Sequence, residues 1–229
     1  MKKPCRIKLR LNGGFVIMAG LLILGAGGHG KVVAEIALML NKWANLAFLD
    51  DNSRVRTVNN IPVIGKLEDY HLYKNDFTDA FVALGNNHLR LEWINKLYNI
   101  GYRIPTITHP FTSISKFSNL GMGTVVMPGA VINTGATVGN ACIINTSSSI
   151  DHDCVLEDGI HISPGVHLGG TVSIGSCTWA CLGSQIINNV NIGRNVVIAA
   201  GAVVIDNIPD NVMVSGIPAM IKKRFGDEQ

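Results

Sequence analysis

The chain has 229 residues, of which 47% are hydrophobic and 15% are charged, and its formal net charge is +3. This length allows one large domain or two modest ones, and the hydrophobic fraction is sufficient for a buried core. The small net charge, with no dense basic run beyond Lys222-Lys223-Arg224, argues against a nucleic-acid partner.

The first thirty residues resemble a secretory signal, because a basic segment up to Arg10 is followed by the uncharged segment 11–30. However, residues 21–24 read as a strand that leads into a glycine-rich loop, so cleavage nearby would destroy the next domain. The apolar part is also too short and too glycine-rich to span a bilayer. We therefore expect a cytoplasmic protein without a membrane span. We also expect residues 1–17 to be an extension upstream of a natural start at Met18.

Residues 18–109 are predicted to form an α/β domain in which strands and helices alternate. Strands are expected at 21–24, 45–49, 79–84 and 102–107, and helices at 31–40 and at about 88–99, with a further apolar segment at 61–65. Such alternation favours a parallel sheet with crossover connections, as in Rossmann-like domains.

A glycine-rich turn follows the first predicted strand and has the sequence Gly25-Ala26-Gly27-Gly28-His29-Gly30. Main-chain N–H groups at the start of the next helix can approach a phosphate in such a turn. Asp50-Asp51 ends the second strand, where a dinucleotide-binding fold holds its ribose-binding carboxylate. Because no second mononucleotide half fits before residue 110, a single nucleotide is favoured over NAD. The alternative, that these glycines only make a turn, remains open.

An apolar side chain recurs every six residues from Ile114 to Val204. Fifteen of the sixteen positions hold Ile, Leu or Val, and the other holds Ala: Ile114, Leu120, Val126, Ile132, Val138, Ile144, Ile150, Leu156, Ile162, Leu168, Ile174, Ala180, Ile186, Ile192, Ile198 and Val204. A period of six fits neither a helix nor a long strand, whose periods are 3.6 and 2. It fits a chain that turns a corner every six residues, with three hexads in each triangular coil.

Residues 18 apart should therefore stack along this segment, which we place at 110–229. The prediction is a parallel β-helix of about five coils, in which Ile132, Ile150, Leu168 and Ile186 form one column of the core. Each short strand would pair with the coils above and below it.

His152 lies two positions after the core residue Ile150, so its side chain should point outward, and Asp153 is its immediate neighbour. A carboxylate near an imidazole fixes the tautomer and raises the basicity, which a general base requires. A lone surface histidine is more often solvated than catalytic, but His161 and His167 follow within the next coil. These two are six residues apart and should lie on different faces, so they are not expected to converge on one zinc ion within one chain. Convergence across a trimer interface remains an alternative.

The five cysteines show no CxxC spacing and are interpreted as small apolar side chains in a reducing compartment: Cys5, Cys142, Cys154, Cys177 and Cys181. Cys154 is close enough in sequence to His152 to suggest an acyl carrier. However, the fourth position after Ile150 should pack inward, which argues against that role.

Four segments together resemble the nucleotide-sugar acetyltransferases of the UDP-N-acetylbacillosamine N-acetyltransferase and sialic acid O-acetyltransferase family. They are residues 24–30, Phe48-Leu49-Asp50-Asp51, Leu84-Gly85-Asn86-Asn87, and Asn145-Thr146-Ser147-Ser148 leading to His152-Asp153. The resemblance covers residues 20–223. It implies that the β-helix is left-handed and forms a homotrimer. It also implies that the N-terminal domain binds a UDP-sugar and that acetyl-CoA lies between neighbouring β-helices.

The resemblance also implies roles for individual residues. His152 corresponds to the catalytic base and Asp153 to its acidic partner, where the family example has Glu. The implied UDP-sugar contacts are Gly27, Gly28, His29, Asp50, Asp51 and Asn86. The implied acetyl-CoA contacts are Asn145, His161, Gly170, Leu182 and Ala200. The family resemblance implies no metal ion.

The function expected from these observations is acetyl-CoA-dependent N-acetylation of a UDP-4-amino-4,6-dideoxy sugar by direct transfer. O-acetylation of a sialic acid or related sugar, and a GDP-linked amino sugar as acceptor, remain alternatives. A zinc hydratase of the same β-helical fold and a non-catalytic sugar-nucleotide-binding protein are alternatives from other classes. The sequence leaves open which amino sugar is used.

Overall fold

The computed structural model describes residues 8–11, 14–17 and 19–226. The expected start at Met18 lies outside the described residues, as do residues 1–7, 12 and 13 of the expected extension. Two strands within that extension, β1 (Lys8–Leu11) and β2 (Gly14–Ile17), pair antiparallel.

The chain forms two compact units, Met1–Gly85 with Glu92–Ile107, and Asn86–Leu91 with Thr108–Gln229. The sequence pattern placed the division at residue 109 and gave no sign that Asn86–Leu91 belongs with the C-terminal part. None of the described helices is long and apolar enough to cross a membrane.

The first unit contains a five-stranded sheet in the order β5, β6, β4, β3, β7. Its elements are β3 (Gly20–Leu24), helix α1 (Gly28–Leu40), β4 (Asn45–Leu49), β5 (Thr57–Val58), β6 (Ile61–Gly65), a 3₁₀ helix (Leu67–Tyr73) and β7 (Asp79–Val82). The strands pair in parallel except β5 with β6. Every residue of β3 is buried, because this strand has a neighbour on each side and consists of large aliphatic residues after Gly20.

Helix α2 (Asn87–Asn99) begins in the second unit and continues in the first. The strand predicted at 102–107 is not formed. Only Arg103 pairs with β7, through a bridge to Asp79, and a two-residue strand, Ile107–Thr108, begins where the chain enters the second unit. Pro105 explains the interruption, because it has no N–H group to continue a ladder of hydrogen bonds.

The second unit is a parallel β-helix whose two-residue strands form three sheets. The first face contains Ile107–Thr108, Val125–Val126, Ile143–Ile144, His161–Ile162, Trp179–Ala180 and Val197–Ile198, and ends in Val212–Ser215 and Met220–Arg224. The second face contains Ser113–Ile114, Val131–Ile132, Ser149–Ile150, His167–Leu168, Gln185–Ile186 and Val203–Val204. The third contains Asn119–Leu120, Thr137–Val138, Val155–Leu156, Ser173–Ile174 and Asn191–Ile192.

The predicted core column is confirmed. Ile132, Ile150, Leu168 and Ile186 pair in register from coil to coil and are at most 3% exposed. Burying each such side chain stabilises the fold by roughly 1.5–3 kcal/mol, so the column is a main source of stability.

The corners of the prism repeat with the same period. Every sixth residue from Gly123 to Gly201 has a positive φ, between 53° and 74°. Glycine tolerates this conformation best, and Asn and Asp tolerate it better than most residues. Asp153, with φ of 59°, occupies one of these corner positions.

Candidate active site

His152 lies at the corner between the second and third faces, with its side chain 54% exposed. Its Nδ1 lies 2.9 Å from Oδ2 of Asp153. This hydrogen bond is the main cause that raises the pKa of His152, and the nearby charges of Asp151 and Asp153 act in the same direction. With Nδ1 donating to the carboxylate, Nε2 is the nitrogen that can accept a proton. The outward orientation expected of His152 is therefore present.

Gly170 lies one coil further on, directly beside the imidazole of His152. A Cβ atom added to Gly170 would lie 2.5 Å from Cε1 and 3.0 Å from Cδ2 of that ring, and closer still to Nε2. The φ of Gly170 is outside the left-handed region, so the ring and not the backbone requires glycine here. The main chain fixes the same contact, because Thr171 donates its N–H to the carbonyl of His152 at 2.9 Å.

Asp151 precedes His152 and was not singled out in the sequence. Its Oδ1 accepts hydrogen bonds from the His152 main-chain N–H and from Nδ2 of Asn133, both at 2.8 Å. The hydrogen bond from Asn133 is the largest cause that lowers the pKa of Asp151, so this carboxyl group is ionised at neutral pH.

A cavity of about 420 Å³ opens next to His152. Its polar lining consists of Ser113, Ser115, Asn133, Thr134, Asp151 and His152, and its apolar lining of Ile114 and Ile132. The signal that could have found it is the coil period, since Ser115, Asn133 and Asp151 are successively 18 residues apart.

His161 lies on the first face and stacks on Trp179, the equivalent residue of the next coil. The ring centroids are 5.7 Å apart and the rings are inclined by 9°. Burial lowers the pKa of His161 to about 4, and the positive charge of Arg90 contributes in the same direction. His161 is therefore neutral at pH 7. Nδ2 of Asn145 lies 3.4 Å from its Nε2, so two of the expected acetyl-CoA contacts are brought together.

Of the other three expected acetyl-CoA contacts, Gly170 lies beside His152, whereas Leu182 and Ala200 are exposed and follow each other on the corner between the first and second faces. The N–H of Gly201 donates to the carbonyl of Leu182, which fixes these two coils in register. His152, Asp153 and Gly170 are grouped at one corner, whereas Asn145 and His161 lie on another side of the prism.

His167 points outward from the second face, where its Nδ1 lies 2.7 Å from Oγ of Ser149. Because His161 is on the first face, the expected divergence of these two histidines is confirmed. Within residues 8–11, 14–17 and 19–226, no group of three or more His, Cys, Asp or Glu side chains could hold a metal ion.

Cys154 packs inward as expected. Its side chain is fully buried, and its Sγ–H donates to the carbonyl of Gly169 at 3.2 Å. Burial raises the pKa of the Cys154 thiol, which disfavours the nucleophilic thiolate.

The predicted helix from Lys31 begins earlier, because the last three residues of the glycine-rich turn already form the first turn of α1. Gly27 is its N-cap, and no described side chain caps this end. A Cβ added to Gly27 or Gly28 would contact nothing within 4 Å, so there is open space over these two glycines. The next residue, His29, is partly buried. By contrast, a Cβ on Gly30 would collide with the carbonyl of Gly25.

The carboxylates of Asp50 and Asp51 both accept hydrogen bonds from main-chain N–H groups. Oδ2 of Asp50 accepts from Ala26 in the glycine-rich loop at 2.6 Å, and Oδ1 of Asp51 accepts from Leu67 at 3.1 Å. Asn86 belongs to the second unit, where its Oδ1 accepts the N–H of Leu89 in the first turn of α2.

A larger cavity, of about 1060 Å³, lies in the first unit. Asp50 is part of its wall, together with the cationic side chains of Arg56 and Lys66. Gly65 and Tyr73 also contribute to it. The sequence did not indicate Arg56 or Lys66, which lie outside the motifs recognised there.

Arg90 is a further residue that the sequence did not reveal. Only 1% of it is exposed, and its guanidinium donates to the main-chain carbonyls of Ala141 at 2.6 Å and Gly159 at 3.0 Å. Burial lowers the pKa of Arg90 to about 10, so the side chain still carries its charge at pH 7.

Residues 20–97 match the family described as the PglD N-terminal domain. A curated relative, UDP-N-acetylbacillosamine N-acetyltransferase of Bacillus subtilis, is 33% identical over 112 residues, which cover 48% of this chain and 52% of the relative. The chain matches about half or less of the length of the curated relatives with which it aligns.

Several solved structures match this chain over almost their whole length. The acetyltransferase domain of PglB from Neisseria gonorrhoeae in complex with acetyl coenzyme A is 37% identical, with a TM-score of 0.86 over 89% of this chain and 98% of that one. A histidine-to-asparagine mutant of perosamine N-acetyltransferase from Caulobacter crescentus, in complex with CoA and GDP-perosamine, is 34% identical. Its TM-score is 0.87 over 90% of this chain and 98% of that one.

These matches confirm the fold class, a Rossmann-like α/β domain followed by a left-handed parallel β-helix. The identity exceeds one third over nearly the full length of both structures. The chain therefore belongs to the hexapeptide-repeat family of nucleotide-sugar acetyltransferases that contains the PglB acetyltransferase domain and perosamine N-acetyltransferase.

Proposed function

We propose that this protein transfers the acetyl group of acetyl-CoA to the amino group of a UDP-4-amino-4,6-dideoxy sugar, with His152 as the general base. The observation that carries the proposal is the pair formed by His152 and Asp153. The 2.9 Å hydrogen bond fixes the ring and leaves Nε2 to accept a proton, and His152 is one of the residues that line a cavity. The solved relative that contains acetyl coenzyme A supports the choice of acyl donor.

In the proposed reaction, Nε2 of His152 takes a proton from the acceptor amine as its nitrogen attacks the thioester carbonyl carbon. A C–N bond forms and the C–S bond breaks, and the protonated His152 returns the proton to the departing sulfur. Asp153 stabilises the imidazolium that exists between these steps. The main-chain N–H of Gly170 is the proposed donor to the oxyanion. No covalent enzyme intermediate is needed, which agrees with the buried position of Cys154.

We place the nucleotide of the acceptor in the first unit, at the N-terminus of α1 and in the cavity lined by Asp50, whose carboxylate holds the N–H of Ala26 in the glycine-rich loop. The open space over Gly27 and Gly28 suits the close approach of a diphosphate. Arg56 and Lys66 in the cavity wall supply positive charge. A GDP-linked amino sugar is the second candidate acceptor, because one solved relative contains GDP-perosamine.

We further propose a homotrimer in which acetyl-CoA lies between two β-helices. Within one chain, the His152 corner and the side that carries Asn145 and His161 are different parts of the prism. A neighbouring protomer would supply the second set of contacts, with Leu182 and Ala200 along its exposed corner.

The test is release of free thiol from acetyl-CoA in the presence of a UDP- or GDP-linked 4-amino-4,6-dideoxy sugar. We expect His152→Ala to lower the rate by about 10²–10⁴-fold without unfolding the protein, because the side chain is outside the core. The matched control is His167→Ala, which removes another exposed histidine of the same β-helix and should keep the wild-type rate. Wild-type turnover in His152→Ala would remove this residue from the mechanism.

A further inference from the structure

The cavity beside His152 has a composition that the general-base mechanism does not explain. Its lining includes three hydroxyl residues, Ser113, Ser115 and Thr134, and the acidic residue Asp151. At about 420 Å³, it is in the size range of pockets that hold small ligands. A small hydroxylated ring therefore fits both its volume and its polarity.

Asp151 is held in a fixed position in this cavity. Its Oδ1 is occupied by the hydrogen bonds from Asn133 and from the main chain of His152. Among the described residues, no hydrogen-bond donor occupies its other oxygen, Oδ2. A carboxylate that is anchored through one oxygen and lines a cavity is a ready acceptor for a cation.

The two carboxylates that flank His152 differ in what they contact. Asp153 bonds to the imidazole ring, whereas Asp151 bonds to the main chain of the same residue and lines the cavity. Asp153 is not part of the cavity wall. Asp153 therefore orients the imidazole of the base, whereas Asp151 lines the space that an acceptor would enter.

We infer that Asp151 makes this site selective for amino over hydroxyl acceptors, by binding the ammonium form of the acceptor amine in the cavity beside His152. The inference rests on the proposed acetyl transfer and specifies the class of acceptor. At neutral pH a sugar amine carries a positive charge to a large extent, and the corresponding hydroxyl sugar does not. Asp151 thus draws the ammonium group into the cavity. The ammonium gives its extra proton to solvent, and His152 takes the second proton as the free amine attacks the thioester.

The experiment compares equilibrium binding of two ligands that differ only at the reacting position. Calorimetry at pH 7 is carried out on the full chain with a UDP-linked 4-amino-4,6-dideoxy sugar and with its 4-hydroxy congener. The GDP-linked pair is measured in the same way. We expect the wild type to bind the amino ligand about 10-fold or more tightly than the hydroxyl one, as for a charge-assisted hydrogen bond.

Asp151→Asn removes the charge but keeps an acceptor for His152 and Asn133, and it should bring this ratio close to one. The matched control is Asp206→Asn, which removes an exposed carboxylate of the same β-helix outside the cavity lining and should leave the ratio unchanged. Asp151→Glu keeps the charge and should retain most of the preference, which guards against a folding defect in Asp151→Asn.

An amino-to-hydroxyl ratio near one in the wild type, or an undiminished ratio in Asp151→Asn, would overturn the inference. A clear preference that depends on Asp151, without thiol release from acetyl-CoA, would overturn the proposed function and leave the inference standing. If neither the UDP-linked nor the GDP-linked sugars bind, both the inference about Asp151 and the proposed function would be overturned.

Discussion

Replacing Gly170 by alanine tests whether the close contact between this residue and His152 matters for catalysis. The new methyl group would lie 2.5 Å from Cε1 of the imidazole and closer to Nε2. Ordinary carbon contacts are about 3.5–4.0 Å, so one of the two groups must move by roughly 1 Å. The main chain at Gly170 is held by the hydrogen bond from Asn189 to its carbonyl, whereas the imidazole is an exposed side chain. The ring is therefore the group that moves.

A displacement of about 1 Å in a catalytic group lowers the rate by about 10²-fold, which is the expected effect on kcat. The free energy of unfolding should change by less than about 1 kcal/mol. The backbone conformation of Gly170 is open to alanine, and the three atoms nearest to the new methyl group all belong to a movable ring. Low activity with nearly unchanged stability distinguishes this result from a general folding defect.

The assay is thiol release from acetyl-CoA, measured for Gly170→Ala, His152→Ala and the double variant, with urea unfolding for each protein. If Gly170 acts by leaving room for the imidazole, Gly170→Ala should not lower the rate of thiol release any further in a protein that already lacks His152. Equal losses in both backgrounds would show that the added methyl group acts independently of His152, since the variant keeps the main-chain N–H of residue 170. A fully active Gly170→Ala would refute the reasoning altogether.

Three further predictions concern Asp153, His161 and Arg90. Since Asp153 raises the pKa of His152 and the base must be deprotonated, Asp153→Asn should shift the acid limb of the kcat/KM profile to lower pH; an unshifted limb contradicts this. Burial holds the pKa of His161 at about 4, below its value of about 6.5 in the unfolded chain. The free energy of unfolding should therefore decrease as the pH falls from about 6.5 to about 4, by roughly 3 kcal/mol at the most. Urea unfolding across that range should show a smaller loss in His161→Asn. Arg90→Met should lower the free energy of unfolding by about 3 kcal/mol in urea titrations, because it leaves buried carbonyls without their donor; wild-type stability would contradict this.

Much of the β-helix could be predicted because its core follows one rule. The period of six gives the strands, and the period of 18 gives the stacking of Ile132, Ile150 and Leu168 in one column. The same period also describes outward-facing contacts, although the sequence interpretation did not use it for them. His161 stacks on Trp179, and Asp151 bonds to Asn133, each across 18 residues. The residue beside His152 could thus have been identified as Gly170 by counting alone.

The contacts of Arg90 could not have been predicted in this way. Arg90 lies on a helix with no repeat, and its partners Ala141 and Gly159 are 51 and 69 residues away. A buried cation held by main-chain carbonyls has no sequence signature, because every residue supplies a carbonyl. The same holds for Arg56 and Lys66, whose place in a cavity wall depends on how the chain folds around β6.

The position of the candidate site follows from two properties of the repeat. Each corner has a residue with positive φ, and Asp153 is one of the residue types that accept this conformation while offering a carboxylate to the neighbouring ring. Successive coils are separated by the spacing of paired strands, about 4.8 Å, so an imidazole at one corner lies over the corner of the next coil. Only a glycine there, Gly170, leaves room for the ring. A histidine at another corner with a larger residue 18 positions later would be turned away from its coil, so the pairing of His152 with Gly170 is what makes this corner suitable for a base.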